Sequence, residues 1–241
     1  MSGVFLSIVI PAYNEEKRIS ASLVKIMDYM EGKKLSYEFV IADDGCRDNT
    51  ESIVRSVAGK RALLQYLKSD VNHGKGNAVK RGMLAAKGDF ALLTDADLST
   101  PIEELDKFLP RMASPGTVLV GNRKTSGSLV RKHQRFIREN MGKVFTLLTN
   151  LILCMWQSDF TCGFKVFGRE ARERIFKAAT IDRWGYDAEL LFLAKRYGYT
   201  IGDVPVVWDN SEATKVNLVV DTMRTFKELF EIRWNGMRGR Y

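Results

Sequence analysis

Cysteine and histidine are scarce in this chain of 241 residues, which contains three cysteines and two histidines. The cysteines, Cys46, Cys154 and Cys162, are odd in number and lack CxxC spacing. The sequence therefore favours neither a disulfide framework nor a zinc site, and we expect a protein of a reducing compartment.

Long apolar runs are also missing. No stretch approaches the about eighteen apolar residues that a spanning helix needs, and the N-terminal run reaches Pro11 and acidic residues too soon for a signal peptide. We interpret that run as a first strand and expect a cytoplasmic protein. The longest apolar stretch, residues 144–156, is interrupted by Asn150. We interpret it as a core helix, with a helix lying in a membrane interface as the alternative.

The signatures of several common nucleotide-dependent enzymes are absent. The glycine-flanked Lys75 in NHGKGNAVKRG fits neither the GxxxxGK(S/T) loop of ATPases and kinases nor the GxGxxG fingerprint of dehydrogenases. Lys75 instead opens a predicted helix. Its ammonium and the backbone N–H groups at that helix start would together bind an anionic group.

Positive charge is in excess, and it is concentrated in one segment. The 37 lysines and arginines outnumber the 29 acids, which gives a formal net charge of +8. Between residues 123 and 143 one acid, Glu139, accompanies seven basic residues: Arg123, Lys124, Arg131, Lys132, Arg135, Arg138 and Lys143. Such a segment attracts anions. Because no nucleic-acid-binding motif accompanies it, we expect phosphate groups or an anionic membrane surface as partners, and no nucleic acid.

The alternation of apolar runs and amphipathic stretches predicts an α/β fold. Strand-like runs such as FLSIVIP, YEFVIAD and FALLTD alternate with helical patterns over residues 15–30, 49–57 and 75–87. This order is typical of a mostly parallel sheet covered by helices on both faces. Ligands of such sheets bind beyond the carboxyl ends of the strands, where PAYNEE, ADDG and TDAD stand in this chain.

A helix predicted from about residue 216 closes the chain. One face of it carries an apolar row at helical spacing: Val219, Met223, Phe226, Phe230 and Trp234. We interpret the row as core packing. The alternative is a helix that lies on a membrane surface, which the basic residues around the row would favour.

Adjacent carboxylates follow the predicted second strand in VIADDG. Asp43 and Asp44 are fixed acceptors that suit a ribose hydroxyl or a base N–H, and Gly45 allows a sharp turn beside them. The structural alternative is a β-turn followed by a helix cap at Asp48 or Asn49.

A second pair of carboxylates, Asp95 and Asp97, follows the apolar run in DFALLTDADLSTP. Two such groups at one strand end have the chemistry to bind Mg²⁺ or Mn²⁺, which then bridges the phosphate oxygens of a nucleotide diphosphate. The structural alternative is a pair of carboxylates that cap a turn.

The order of these motifs resembles that of the inverting family-2 glycosyltransferases of the GT-A fold, and within them the dolichyl-phosphate glucosyltransferase and dolichyl-phosphate mannose synthase group. The resemblance spans residues 7 to about 217 through SIVIPAYNEE, VIADDG, NHGKGNAVKRGM, TDADLSTP, VGNR, TCGFKVF, RWGYDAELLFLAKRYGY and VPVVW. It implies one GT-A domain over residues 1–241, with a Rossmann-like, mostly parallel sheet flanked by helices. Residues 1–122 would be the nucleotide-sugar-binding half, 123–215 the acceptor-binding half and 216–241 an amphipathic C-terminal helix.

The resemblance also implies a donor site. The nucleotide sugar would be bound by Pro11, Ala12, Tyr13, Glu15, Ala42, Asp43, Asp44, Gly45, Lys75, Asp95 and Ala96. Asp95 and Asp97 would bind Mg²⁺ or Mn²⁺ together with the diphosphate. Related mannose synthases often carry a glutamine two residues after the second aspartate as a further ligand, whereas this chain has Ser99. The resemblance therefore supplies no third protein ligand.

For the acceptor phosphate, the resemblance implies arginines of the basic segment. Arg123 in GNR matches a phosphate-binding arginine of the family. Arg138 is the best match to a second one, and Arg135 or Arg131 are the alternatives for that role.

Asp159, before TCGFK, and Asp187, in RWGYDAEL, are the remaining acid candidates. Asp187 has a structural alternative as a helix-start carboxylate favoured by the helix dipole. A phosphate acceptor is already ionised near neutral pH, so we rank its orientation above base catalysis. The predicted catalytic set is Asp97, Asp159, Asp187, Arg123 and Arg138.

RWGYDAELL and VPVVW resemble the glucosyl subgroup more closely, with Thr214 and Lys215 where that subgroup usually has Ser-Lys. This similarity implies transfer of glucose from UDP-glucose to dolichyl or polyprenyl phosphate, by a protein bound peripherally to the cytoplasmic face of a membrane. The alternatives are GDP-mannose or UDP-GlcNAc as donor, a cell-surface polysaccharide as acceptor, and a nucleotide- or nucleic-acid-binding protein without catalysis. The lack of a QxxRW motif argues against a processive polysaccharide synthase.

Overall fold

The computed structural model describes residues 3–58, 61–132, 136–209 and 218–241, with the side chains of 132–141 and 218–220 left aside. The strands within these ranges are β1 (Leu6–Ala12), β2 (Tyr37–Asp43), β3 (Leu63–Leu67), β4 (Phe90–Leu93), β5 (Val118–Asn122), β6 (Leu129–Lys132), β7 (Lys165–Gly168), β8 (Ile201–Pro205) and β9 (Val207–Asp209). The helices are α1 (Ile19–Lys33), α2 (Thr50–Ala58), α3 (Lys75–Ala85), α4 (Leu105–Phe108), α5 (Phe136–Leu153), α6 (Arg169–Ala178), α7 (Tyr186–Arg196) and α8 (Leu218–Met237).

Seven of the strands form one mixed sheet in the order β3-β2-β1-β4-β7-β5-β8. Neighbouring strands are parallel except at β7, which runs antiparallel to both β4 and β5. A separate pair, β6 and β9, is parallel. The predicted mostly parallel α/β sheet flanked by helices is therefore confirmed.

The sheet is buried on both faces, which explains its nearly continuous apolar strands. Along β1 the side chains alternate between two core clusters. Val9 belongs to the cluster that includes side chains of α3, α6 and α7. Ile8 and Ile10 belong to the other cluster, which includes side chains of α1 and α2.

One edge of this sheet collects the polar motifs. Because β1, β2, β4 and β5 all point the same way, the loops that follow them meet there. The register places Ala12, the last residue of β1, opposite Asp43, the last residue of β2. The antiparallel β7 starts at this edge, so Lys165 lies there too.

The apolar stretch of α5 is only partly core. Leu153 is buried, but Val144, Leu147 and Leu151 are exposed by 54%, 58% and 62%, and Trp156 beyond the helix is exposed by 91%. The predicted core helix over residues 144–156 is therefore wrong for one of its faces. Among the residues that the structure describes, no helix combines the length and the apolar character needed to cross a membrane.

The apolar row of α8 also faces outward. Met223, Phe230 and Trp234 are exposed, whereas the core side of the helix carries Leu229 and Ile232. Core packing of the row is therefore wrong for these three residues, because an apolar face at helical spacing does not reveal what covers it. Of the other two members, Phe226 is half-buried and packs against Phe145 of α5, with the ring centroids 6.0 Å apart and the rings tilted, and Val219 lies outside the described side chains.

Candidate active site

The loop after β1 is anchored by Glu15. Its backbone N–H donates to Thr50 Oγ1 at 2.8 Å, and its buried carboxylate accepts hydrogen bonds from the Arg18 guanidinium, with Nη2 and Oε1 2.9 Å apart. The remaining predicted donor-site residues of this segment lie at the same strand end: Pro11, Ala12 and Tyr13. Their contact with a nucleotide sugar stays a prediction.

Asp43 and its neighbours shape the end of β2. Asp43 Oδ1 accepts the Cys46 N–H at 2.7 Å, and Oδ2 accepts the Tyr66 hydroxyl at 2.8 Å. The helix cap considered above also exists, because Asp48 Oδ1 accepts the Thr50 N–H at 3.0 Å. Ala42, predicted with this group, is fully buried in β2.

Asp44 ties the end of β2 to the loop before α3. It accepts the backbone N–H groups of His73 and Gly74, at 2.9 and 3.0 Å. Burial raises the pKa of Asp44 above its ordinary value, although these two donors oppose the shift. Gly45 has a φ of +84°, and a Cβ there would lie 2.7 Å from the Val71 carbonyl carbon, so the turn requires glycine.

Lys75 and Asp95 form an ion pair beside these loops. Lys75 opens α3, Asp95 follows β4, and Nζ lies 2.6 Å from Oδ1. Although burial opposes both charges, the carboxylate raises the pKa of Lys75 and the ammonium lowers that of Asp95. The other oxygen of Asp95 faces the backbone of Gly163, where a Cβ would lie 2.1 Å from Oδ2.

Asp97 completes the pair of carboxylates after β4. Its Oδ1 accepts the Ser99 N–H at 3.0 Å, and its Oδ2 lies 3.4 Å from Arg18 Nη1. The intervening Ala96 is buried, and its carbonyl accepts the Ser22 hydroxyl at 2.7 Å. One arginine, Arg18, thus contacts an acid of the β1 loop and an acid of the β4 loop.

The two aspartates fit a divalent cation that is bound together with a diphosphate. Within the described part of the chain, no group of three or more His, Cys, Asp or Glu side chains is arranged to hold a metal ion. Mg²⁺, however, is commonly bound by one or two carboxylates, with substrate phosphates and waters as the other ligands. Asp95 and Asp97 would supply the two carboxylates of such a donor set.

After β5, Arg123 is clamped by Asp159. Arg123 Nε and Nη2 each lie 2.7 Å from a different oxygen of Asp159, and Nη2 also donates to Thr161 Oγ1 at 2.8 Å. The guanidinium stacks on Trp208, 5.2 Å from the ring centroid. Although burial opposes the charges, the pair raises the pKa of Arg123 and lowers that of Asp159. Because Asp159 is fully buried and both its oxygens are engaged, it is placed to orient Arg123.

Asp187, in the first turn of α7, is paired with Lys165, a lysine of the TCGFKVF motif for which the sequence predicted no role. The Nζ of Lys165, in β7, donates to Asp187 and to the Cys162 carbonyl, and the lysine side chain is fully buried. The signal in the sequence was a lysine inside the apolar run GFKVFG. Asp187 also acts electrostatically on both Lys75 and Arg123, so these three residues lie in one region of the protein.

Of the other arginines predicted for the acceptor phosphate, the structure describes the side chain of one, Arg131. Arg131 is exposed and lies 3.7 Å from Asp209. Arg138 lies in α5, but its side chain is outside the described set, and Arg135 lies outside the described residues, as do Thr214 and Lys215. The acceptor roles predicted for Arg135 and Arg138 stay predictions.

Among solved structures, glucosyl-3-phosphoglycerate synthase from Mycobacterium tuberculosis in complex with Mn²⁺ and UDP-glucose has a similar fold. The TM-score is 0.67 at 19% sequence identity, and the match covers 96% of this chain and 79% of that chain. This likeness shows that the chain has the GT-A fold.

The chain belongs to glycosyl transferase family 2, whose family model matches residues 7–176. Dolichyl-phosphate beta-glucosyltransferase of Dictyostelium discoideum is 31% identical over 252 residues, which cover 99% of this chain and 77% of that protein. The enzyme of the same name from Saccharomyces cerevisiae is 30% identical over 256 residues, with 99% and 77% coverage. The predicted family and the predicted enzyme class are confirmed.

Replacing Asp159 by Asn should lower the free energy of unfolding at neutral pH by about 3 kcal/mol, because the buried Arg123 loses its counter-charge. The folded-state pKa of Asp159 is lowered, so its stabilisation is present above the ordinary pKa of aspartate, about 4, and is lost as the pH falls below it. The free energy of unfolding, measured by urea unfolding between pH 2 and 7, should therefore fall less steeply with decreasing pH in the variant than in the wild type.

The matched control is Asp28→Asn, which removes an acid of the exposed pair with Arg61. Because this pair is exposed to solvent, the change should leave the free energy of unfolding nearly unchanged. Equal losses in the two variants would contradict the assigned clamp between Asp159 and Arg123.

Proposed function

We propose that this protein transfers glucose from UDP-glucose to the phosphate of dolichol or of a related polyprenol. The main supporting observation is that several charged groups lie at the same edge of the sheet. They are the ion pair of Lys75 and Asp95, the neighbouring Asp97, and Arg123 with its partner Asp159. The two relatives named above support this choice of donor sugar and acceptor, since each aligns over about three quarters of its length.

On the donor side, Asp43 and Asp44 would bind the nucleoside, and Asp95 and Asp97 would hold Mg²⁺ or Mn²⁺ against the diphosphate. The cation supplies charge that stabilises the departing diphosphate. Lys75 lies next to one of its carboxylates and Arg18 next to the other, so both side chains add positive charge where the leaving group develops negative charge. The solved synthase with Mn²⁺ and UDP-glucose supports this arrangement by analogy of fold.

On the acceptor side, a phosphate oxygen would attack the anomeric carbon from the face opposite the diphosphate, which inverts the configuration. A phosphate monoester is ionised near neutral pH, so no base needs to remove a proton. The main requirement is to bring two anions together in the right orientation. Arg123, whose Nε and Nη2 are held by Asp159, would do this with its charge and the N–H groups of Nη1, and Arg138 would be the second arginine at the phosphate.

The lipid part of the acceptor would approach from the side of α5 and α8. Both helices carry exposed apolar rows: Val144, Leu147, Leu151, Met223, Phe230, Trp234 and Met237. Exposed basic residues stand on and beside α8, among them Arg224, Lys227 and Arg238. An apolar row flanked by basic residues suits an anionic bilayer surface, so we propose peripheral association with the cytoplasmic face of a membrane.

A donor and acceptor panel tests the proposed reaction. The protein would be incubated with Mn²⁺ or Mg²⁺, a short polyprenyl phosphate and, in turn, UDP-glucose, UDP-GlcNAc or GDP-mannose. We expect a lipid-linked glucose from UDP-glucose, and we expect EDTA to abolish its formation. Product with 3-phosphoglycerate in place of the lipid phosphate, or transfer from GDP-mannose alone, would contradict the proposal.

In the same assay Asp97→Asn should lower the rate by about 100-fold or more, because it removes charge that faces the diphosphate. Asp106→Asn, at an exposed acid on α4, is the matched control and should leave the rate unchanged.

Vesicle binding tests the proposed lipid face. Vesicles of phosphatidylcholine and phosphatidylserine should retain the protein at low salt and release part of it at high salt, because a Debye length shortens as salt rises. Phe230→Ser with Trp234→Ser should reduce retention. The control is Leu63→Ser, at an equally exposed apolar residue on β3, and it should leave retention on the vesicles unchanged. Equal retention of both variants would contradict a lipid face on α8.

A further inference from the structure

The C-terminal helix α8 holds the loop that leads into α7, which we call the α7 entry loop and define as residues 179–185. Glu228 Oε2, on α8, accepts the Gly185 N–H at 2.7 Å. A Cβ on Gly185 would lie 2.8 Å from that oxygen and 2.9 Å from the Glu228 Cβ. The helix therefore packs directly against the backbone of the loop, and only glycine fits at the contact.

A second contact ties the same loop to the C-terminus. Glu189, fully buried in α7, accepts the backbone N–H groups of Thr180 and Ile181 at 2.8 and 2.9 Å. It also accepts the hydroxyl of the C-terminal Tyr241 at 2.7 Å. One end of the α7 entry loop is thus held by Glu228 of α8, and the other end is held by Glu189 of α7, which Tyr241 contacts in turn.

The opposite side of the α7 entry loop fits against the start of α3. The Asp182 carbonyl accepts the Asn77 N–H at 3.0 Å, and its Oδ1 accepts the Asn77 side-chain amide at 3.0 Å. A Cβ on Gly74 would lie 2.5 Å from the Asp182 carbonyl oxygen, and one on Gly76 2.3 Å from that of Ile181. The glycines that flank Lys75 are therefore required by this loop.

Lys75 lies where these contacts converge. Its Nζ is 5.8 Å from the Trp184 ring centroid and 6.0 Å from that of Tyr186, and 2.6 Å from Asp95 Oδ1. A continuous series of contacts thus runs from Glu228 through the α7 entry loop to Lys75 and on to Asp95.

We propose that Glu228 is a positioning residue for the nucleotide-diphosphate site, acting through the α7 entry loop on Lys75 and Asp95. The inference rests on the proposed function for the identity of the donor. Glu228 is half-buried at this contact; burial raises the pKa of its carboxyl group, and the hydrogen bond from the Gly185 N–H opposes that shift. The outward face of the same helix carries the proposed lipid contact, so one helix would connect the membrane surface with the donor site.

The first test needs no ligand. Hydrogen exchange would be followed in residues 72–78 for Glu228→Ala, Glu228→Gln and the control Glu231→Ala, which removes an exposed acid of the same helix. We expect faster exchange in Glu228→Ala and wild-type exchange in the control. Glu228→Gln should be close to wild type, because its amide oxygen still accepts the Gly185 N–H. Unchanged exchange at 72–78 in Glu228→Ala would overturn the proposal.

The second test is UDP affinity with Mn²⁺, measured by calorimetry beside the melting temperature. Glu228→Ala should weaken UDP binding by about tenfold, the order expected for one lost buried hydrogen bond, while the KM for polyprenyl phosphate stays constant. If Glu228→Ala lowered the melting temperature but left UDP affinity unchanged, the contact between Glu228 and Gly185 would have only a structural role, and the proposal would be wrong. Equal weakening by Glu231→Ala would also overturn it.

Gly185→Ala tests the same contact from the loop side and covers the case that Glu228→Ala does not fold. Its Cβ would push against Glu228, so we expect the same faster exchange and weaker UDP binding. The two changes should be less than additive when combined, because they break one contact. If the wild-type protein does not bind UDP, the proposed donor is wrong, and hydrogen exchange still decides the inference.

Discussion

The crowding of carboxylates at one edge of a parallel sheet is the constraint on which the rest of this structure depends. Parallel strands bring their carboxyl ends together, and in this chain those ends carry Glu15, Asp43, Asp44, Asp95 and Asp97. Like charges so close to a buried sheet need compensation. The fold provides it in two ways: backbone N–H groups and Tyr66 satisfy the acids after β2, and basic side chains pair with the others.

These pairings divide the acids by the chemistry left open to them. Asp159 and Asp187, with side-chain exposures of 1% and 9%, each pair with one cation, Arg123 and Lys165, and are suited to fixing geometry. Asp95 and Asp97 are partly exposed, with side-chain exposures of 32% and 19%, and are paired with Lys75 and Arg18, so they remain open to a cation and a diphosphate. Under the proposed function, Arg123 held by Asp159 would be a fixed group on the acceptor side, and Asp95 and Asp97 would be an accessible pair on the donor side.

The α/β fold, the polar sheet edge and the family could be predicted from the sequence, because strand alternation and ordered motifs are local signals. The clamp on Arg123 could not, since Asp159 is 36 residues away and the pair forms only when β5 and the segment before β7 meet. The exposure of Phe230 and Trp234 could not be predicted either, because helical spacing identifies an apolar face but does not show what packs against it. Lys165 belongs to the TCGFKVF motif, but its pairing with Asp187, 22 residues away, could not be predicted from that motif.

The central claim is that Asp95 and Asp97 form the metal–diphosphate site of a nucleotide-sugar-dependent transferase. The most direct measurement is a crystal structure with UDP and Mn²⁺, with the metal located by its anomalous signal. We expect an anomalous peak about 2.0–2.6 Å from oxygens of Asp95 or Asp97 and of the diphosphate, with the nucleoside in contact with Asp43. A metal bound elsewhere, or UDP bound away from this sheet edge, would contradict the central claim.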